Sequence, residues 1–186
     1  MRTLRVPRCF PLLALSFLGF GACQPDADVE FDGGEAIDPV VVHIDTTVAA
    51  VQEHLDSENY RENWSMWPER EALYSGAEPH GLLLTTYVNE IARVGLGALR
   101  EGTLDVLPVG AVVVKENYMP DSTLDAITVM YKQAGYDPEN NDWYWVKYLA
   151  DRTVEASGRP ESCIGCHVQA AENWDYLLTA QAQFGN

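Results

Sequence analysis

Cysteine is scarce in this 186-residue chain, and basic charge is scarcer still against the acid present. There are four cysteines, and 12 Lys and Arg stand against 28 Asp and Glu. Two of the cysteines, Cys9 and Cys23, fall in an N-terminal segment with the marks of a leader. That leaves Cys163 and Cys166, with no second pair for a structural disulfide in an oxidising compartment. So acidic a surface repels nucleic acid and anionic lipid, so neither is expected as a partner. No apolar run reaches the roughly 20 residues a bilayer-spanning helix needs. No internal repeat is visible.

The leader is what is present first. Met1 to Arg8 carries three arginines and no acid, and Phe10 to Phe20 is apolar. A charged stretch followed by a short apolar one reads as a signal peptide over 1–22. Phe20-Gly21-Ala22-Cys23 resembles a bacterial lipobox, although Leu is usual where Phe20 stands. Cys23 is the expected lipidation site, and an ordinary signal cleaved nearby is the alternative. Gln24 after it favours the outer membrane, so the expected location is the periplasm, tethered there by lipid. The membrane is then touched only through that anchor. Residues 23–40 are acidic, with two adjacent glycines, and read as a flexible spacer. Residues 41–186 suffice for one domain with its own core.

Within that domain the pattern shifts from helix to strand. Thr46 or Thr47 can cap a helix with Val48, Val51 and Leu55 on one face. Pro68 ends any helix in the aromatic-rich segment 59–68. Residues 82–88 are apolar and β-prone. Asn89 caps a helix over 90–99 with Ile91, Val94 and Ala98 inward, although Gly95 and Gly97 weaken it. Strands follow over 110–117, 124–132 and 142–149. In the first, Val112 and Val114 share one face, and Ala111, Val113 and Lys115 the other. Short turns between consecutive strands predict an antiparallel sheet. A last helix is expected from the cysteines toward Ala171. The fold class is therefore α+β, an antiparallel β-sheet packed with helices.

Cys163-Ile164-Gly165-Cys166-His167 is C-x-x-C-H, the attachment pattern of haem c. Two thiols three residues apart can add to the two vinyl groups on one edge of a porphyrin. The next histidine then comes up beneath the iron, where neutral imidazole is a good axial ligand. Gly165 lets the backbone lie close to the ring. A zinc site wants two more Cys or His ligands. A thioredoxin-like dithiol would follow a strand in a βαβ unit. Neither context is present, so one covalent haem c is expected.

The 19 residues after His167 contain neither Met nor His. A sixth iron ligand would therefore lie upstream, among His43, His54, His80, Met66, Met119, Met130 and Lys115, none of them marked by spacing. His80 beside Gly81 reads as a turn residue rather than a ligand. An open distal position is the better expectation, and an open position binds small molecules.

Several blocks, in order, resemble the cytochrome P460 family. They are Pro79-His80-Gly81, Thr86 to Asn89, Gly110 to Tyr118, Thr128 to Lys132, Gly135-Tyr136, Asp142 to Trp145, the C-x-x-C-H run and Asp175-Tyr176. The resemblance covers about residues 60–179. It implies an antiparallel sheet with helices, often a homodimer, and a pentacoordinate haem c. It implies either hydroxylamine oxidation, with nitric oxide and nitrous oxide chemistry, or nitric oxide binding in the manner of cytochrome c′-beta. In oxidising members a lysine is joined to a porphyrin meso carbon, and Lys115 looks like the match. Its plain reading is a strand lysine that snorkels or pairs with an acid. Catalytic members also need a distal carboxylate as proton acceptor. Glu116, Glu155 and Glu161 are candidates, and sequence does not choose among them. Arg93 is read as lying on a solvated helix face rather than holding a haem propionate. Trp64, Trp67, Trp143, Trp145, Tyr144 and Tyr148 either wall the pocket or form ordinary sheet core, the commoner case.

The expected function is an exported monohaem c-type cytochrome that binds or converts small nitrogen ligands at an open site. The alternative is a periplasmic electron-transfer protein, for which the acidic surface suits a basic redox partner. A lipoprotein with an incidental haem is the third.

Overall fold

Alternating β-branched and aromatic residues build one antiparallel sheet, the frame on which every other element is hung. The computed structural model describes residues 43–185. The leader, Cys23 and the spacer lie outside the described residues. The strands are β1 (Ser65–Met66), β2 (Tyr74–Ser75), β3 (Leu83–Val88), β4 (Val112–Tyr118), β5 (Leu124–Lys132), β6 (Trp143–Leu149) and β7 (Val154–Gly158). Their order is β1-β3-β4-β5-β6-β7, with β2 also paired to β3. Every pairing is antiparallel, which is the α+β fold expected.

Register decides what each face carries. Lys115 lies opposite Thr86 and Thr128, and Glu116 opposite Thr85 and Ile127. A strand's period of two then sends Val113, Lys115 and Asn117 to one face and Val112, Val114 and Glu116 to the other. The second face packs beneath α1 (Val48–Glu58). The Thr47 side chain caps this helix by accepting from the Ala50 amide, and Asn59 ends it in the left-handed conformation. Val51 and Leu55 close that core with Val112, Val114, Ile127 and Tyr148. The short α2 (Tyr60–Asn63) follows.

The first face is covered by α3 (Glu90–Arg100), α4 (Glu161–His167), α5 (Ala171–Trp174) and α6 (Leu178–Phe184). Asn89 caps α3 as expected, accepting from the Ala92 amide. The inward face of α3 differs from expectation. It buries Ala92, Gly95, Leu96 and Leu99, while Val94 is 56% exposed. Ile91 packs at the margin of the core. The helix docks through Gly95, where an added Cβ would lie 2.7 Å from both Leu107 and Pro108. Close approach, rather than the largest side chains, sets the rotation of the helix.

The C-terminal segment also differs. One helix toward Ala171 was the expectation. Instead α4 ends at His167, a 3-10 turn spans Val168–Ala170, and α5 follows. The chain then breaks at Asp175 and Tyr176, both at positive φ (48° and 67°), before α6. Strand β7 was not anticipated. Its Val-Glu-Ala-Ser-Gly sequence is short and carries only Val154 as a large apolar residue, itself exposed, because it is a largely exposed edge strand. No helix among the described residues is long and apolar enough to cross a membrane.

Candidate functional site

The face that carries Lys115 is hollowed into a cavity of about 930 Å³. Its walls come from β4, β5 and β6, from the segment around residues 75–82, and from α4 and the start of α6. Cys163, Cys166 and His167 all line it. Both thiols are free, Cys163 half-buried and Cys166 exposed. Burial pushes the Cys163 thiol pKa up.

His167 is buried, and its Nδ1 lies 2.7 Å from the Tyr176 carbonyl oxygen. A carbonyl can only accept, so Nδ1 carries the proton and Nε2 keeps its lone pair. Desolvation lowers the pKa of this ring to about 4, against the opposing pull of the carbonyl. The imidazole is therefore neutral at pH 7. Trp145 stacks edge-on against it, ring centres 4.9 Å apart.

The Tyr176 carbonyl is held in turn. Asp175 has no exposed surface, and its carboxylate accepts from Lys132 Nζ at 2.7 Å, the Leu107 amide at 2.7 Å, Asn141 Nδ2 at 2.9 Å and Trp143 Nε1 at 3.2 Å. A fixed second-sphere acceptor of this kind orients a histidine ring and sets its basicity.

Lys115 is half-buried overall, with its amino group deep in the cavity, donating to Thr179 Oγ1 at 3.3 Å. Burial lowers its pKa to about 8. The sheet face expected for it is the one observed. His80, read as a turn residue, does close a turn through its amide to the Ala77 carbonyl. Its ring, however, lies in the cavity wall, 2.9 Å from Asn117 Oδ1 and 6.1 Å centre to centre from His167. Sequence reasoning missed this because the partner that aims the ring is 37 residues away.

The other candidates separate. Met119 and Met130 line the cavity; His43, His54 and Met66 do not. Of the three carboxylates, Glu116 is on the opposite face, 1% exposed, accepting from Tyr60 Oη (2.6 Å), Tyr118 Oη (2.5 Å) and Arg61 Nη2 (2.5 Å). Strand period removes it from the cavity. Glu161 is exposed in the first turn of α4 and lines a separate shallow cleft. Glu155 lines the cavity and pairs with Lys147 at 3.0 Å. Arg93 pairs with Glu90 on the exposed side of α3. The aromatics divide. Trp67 and Trp145 line the cavity, Trp143 is core, and Tyr144 and Tyr148 belong to the other face. Trp64 packs on His54 and Tyr60.

The donor set suits a haem. Two free thiols and a neutral imidazole with a bare nitrogen share one largely apolar-walled space of ligand-pocket size. The Trp145 indole N–H is buried in the wall with no partner among the described residues. Such a donor calls for an acceptor on an occupant. Among the described residues no three His, Cys, Asp or Glu gather as they would around a bare metal ion. No curated protein matches the chain. A family model, Cytochrome P460, matches residues 57–179, from α1 through the C-x-x-C-H motif to the first residues of α6. The chain belongs to the cytochrome P460 family.

Proposed function

We propose that this protein is an exported monohaem cytochrome that binds or converts small nitrogen ligands, nitric oxide or hydroxylamine, at its iron. Family membership makes it a c-type haem protein. In this reading Cys163 and Cys166 hold the haem covalently, and His167 Nε2 is its axial ligand. Haem iron supplies a one-electron centre that takes small ligands. The protein's residues do the rest. Asp175 and the Tyr176 carbonyl orient His167, and Trp67, Trp145 and Met130 exclude water.

One observation carries the reading: Lys115 shares the cavity of the C-x-x-C-H motif, with its pKa lowered to about 8. Near neutral pH a useful fraction of such an amine is unprotonated and nucleophilic. That suits the ring cross-link the family resemblance implies. Of the three candidate carboxylates Glu155 lines the cavity and Glu116 and Glu161 do not, which supports Glu155 as the proton acceptor.

The ferrous absorption spectrum, before and after alkaline pyridine, tests this. A red-shifted Soret band that fails to become an ordinary haem c hemochrome means a lysine-linked ring and hydroxylamine chemistry. An ordinary hemochrome points to an unlinked haem and nitric oxide binding. Mass spectrometry of Lys115→Ala checks the link directly, and unchanged haem-bearing peptides sink it. Export and lipidation are tested by Cys23→Ser, which should move the protein from the membrane to the soluble fraction. Sedimentation should report the homodimer that the resemblance implies.

A further inference from the structure

Acid outnumbers base so heavily in this chain that an arginine without a carboxylate is unexpected, and one lies in the cavity wall. Six arginines fall among the described residues. Arg61, Arg93, Arg100, Arg152 and Arg159 each form an ion pair with a carboxylate. Arg70 forms none among the described residues. Its chain neighbour Glu69 is taken by Arg100 at 2.7 Å and by Gln183 Nε2 at 3.4 Å. Of the lysine and arginine side chains lining the cavity, Lys147 is paired with Glu155, and Lys115 donates to Thr179. Arg70 is the remaining one.

The guanidinium is nonetheless held in place. The Arg70 amide donates to the Trp67 carbonyl at 3.1 Å, closing the turn after β1. The guanidinium carbon lies over the Tyr74 ring, 5.3 Å from its centre, and the Tyr74 hydroxyl is 2.7 Å from Thr86 Oγ1 on β3. Such packing orients a planar fork whose N–H groups can still donate. Nε of Arg70 is shut off from solvent and has no acceptor among the described residues. A buried charged donor left without an acceptor is costly, so the wall is complete only when an occupant supplies one. The acceptor that matches a guanidinium fork is a carboxylate, held by parallel hydrogen bonds. Haem carries two carboxylates, its propionates, on the edge opposite the vinyl groups. A cation for that edge has to come from outside α4, which carries the thiols, and Arg70 comes from the segment between β1 and β2.

We propose that Arg70 binds a propionate carboxylate of the haem. The proposal rests on the haem reading given above. It gives Arg70 the part that Arg93, paired with Glu90 on the exposed side of α3, does not play. The contact is an ion pair, with no bond made and no proton or electron transferred. A cation beside the ring favours the ferrous state, which carries one positive charge fewer than the ferric. Arg70 thus raises the reduction potential as well as seating the ring.

The test is the redox-triggered infrared difference spectrum and midpoint potential of the haem-loaded protein, for wild type, Arg70→Gln, Arg70→Lys and the control Arg93→Gln. Wild type should show haem carboxylate bands, together with a guanidinium band that moves when arginine is labelled with nitrogen-15. Among the described residues no other arginine lines the cavity, so that band reports on Arg70. Arg70→Gln should shift the carboxylate bands and lower the ferrous-to-ferric ratio at a fixed potential about tenfold. Arg70→Lys should restore much of that ratio without restoring the bands, since it keeps the charge and loses the fork. Arg93→Gln should change neither. A wild-type spectrum insensitive to the label overturns the proposal, and that measurement needs no variant to fold. Bands and potential left unmoved by Arg70→Gln overturn it equally. If the wild type carries no haem, the haem reading fails and this assignment with it; a haem-bearing protein indifferent to Arg70 sinks the assignment alone.

Discussion

Asp175 illustrates how a residue outside the cavity wall can hold one that lines it. Its buried carboxylate faces a buried Lys132 ammonium, 4% exposed, and its own backbone is left-handed. Removing one member of such a pair leaves the other charged and unsatisfied. Asp175→Ala should cost about 3–5 kcal/mol in urea unfolding. Adding Lys132→Met should recover a large part, since no orphaned charge remains. Glu116 supports a second prediction. Burial, and then the hydrogen bond to Glu116, raise the pKa of Tyr60 and Tyr118 above the usual 10.0. The folded state thus holds phenolic protons that the unfolded chain releases. Their stabilisation is complete below pH 10 and is lost as pH rises through the folded values. Stability followed by circular dichroism should fall above pH 10, and Tyr60→Phe should make that fall shallower. At this scale the C-x-x-C-H residues were legible because their signal is local spacing. Asp175 and His80 were not: the partners that give them a role lie at residues 107 to 143 and at 117.

Among the elements, α3 gives the sharpest contrast. Gly95 touches Leu107 and Pro108, whereas a Cβ on Gly97 would meet nothing within 4 Å. Alanine improves intrinsic helix propensity at both by about 1 kcal/mol. Gly97→Ala should therefore stabilise by about 0.5–1 kcal/mol. Gly95→Ala should destabilise by about 1–3 kcal/mol, because overpacking against a rigid proline ring outweighs propensity. Thermal melts of the two variants in opposite directions would establish Gly95 as the docking point. The strands β4, β5 and β6 were legible to within two residues, since each is a long run rich in β-branched and aromatic residues, bounded by turns and buried on both faces. The helix face was not, because a glycine contact leaves no mark in a hydrophobic pattern. Strand β7 was not either, because an exposed edge needs no apolar side chains.

For the molecule as a whole, the sheet separates two cores. One is closed by α1 and holds Leu55; the other contains Trp145 and borders the cavity. Leu55→Ala should cost about 2–5 kcal/mol through the void it leaves. It should leave the haem absorption bands where they are, because the sheet stands between. A shifted spectrum would show that the two sides are coupled. The antiparallel architecture was legible from the run of consecutive strands and short turns, while the division of labour between its faces emerged only from register. The order of the parts along the chain has a further consequence. All seven strands of the described residues precede Cys163, so a chain delivered N-terminus first presents the sheet wall of the cavity before either thiol arrives. Under the haem reading proposed above, cofactor attachment would be the closing event of biogenesis, a latch on a nearly finished vessel rather than the seed around which it forms.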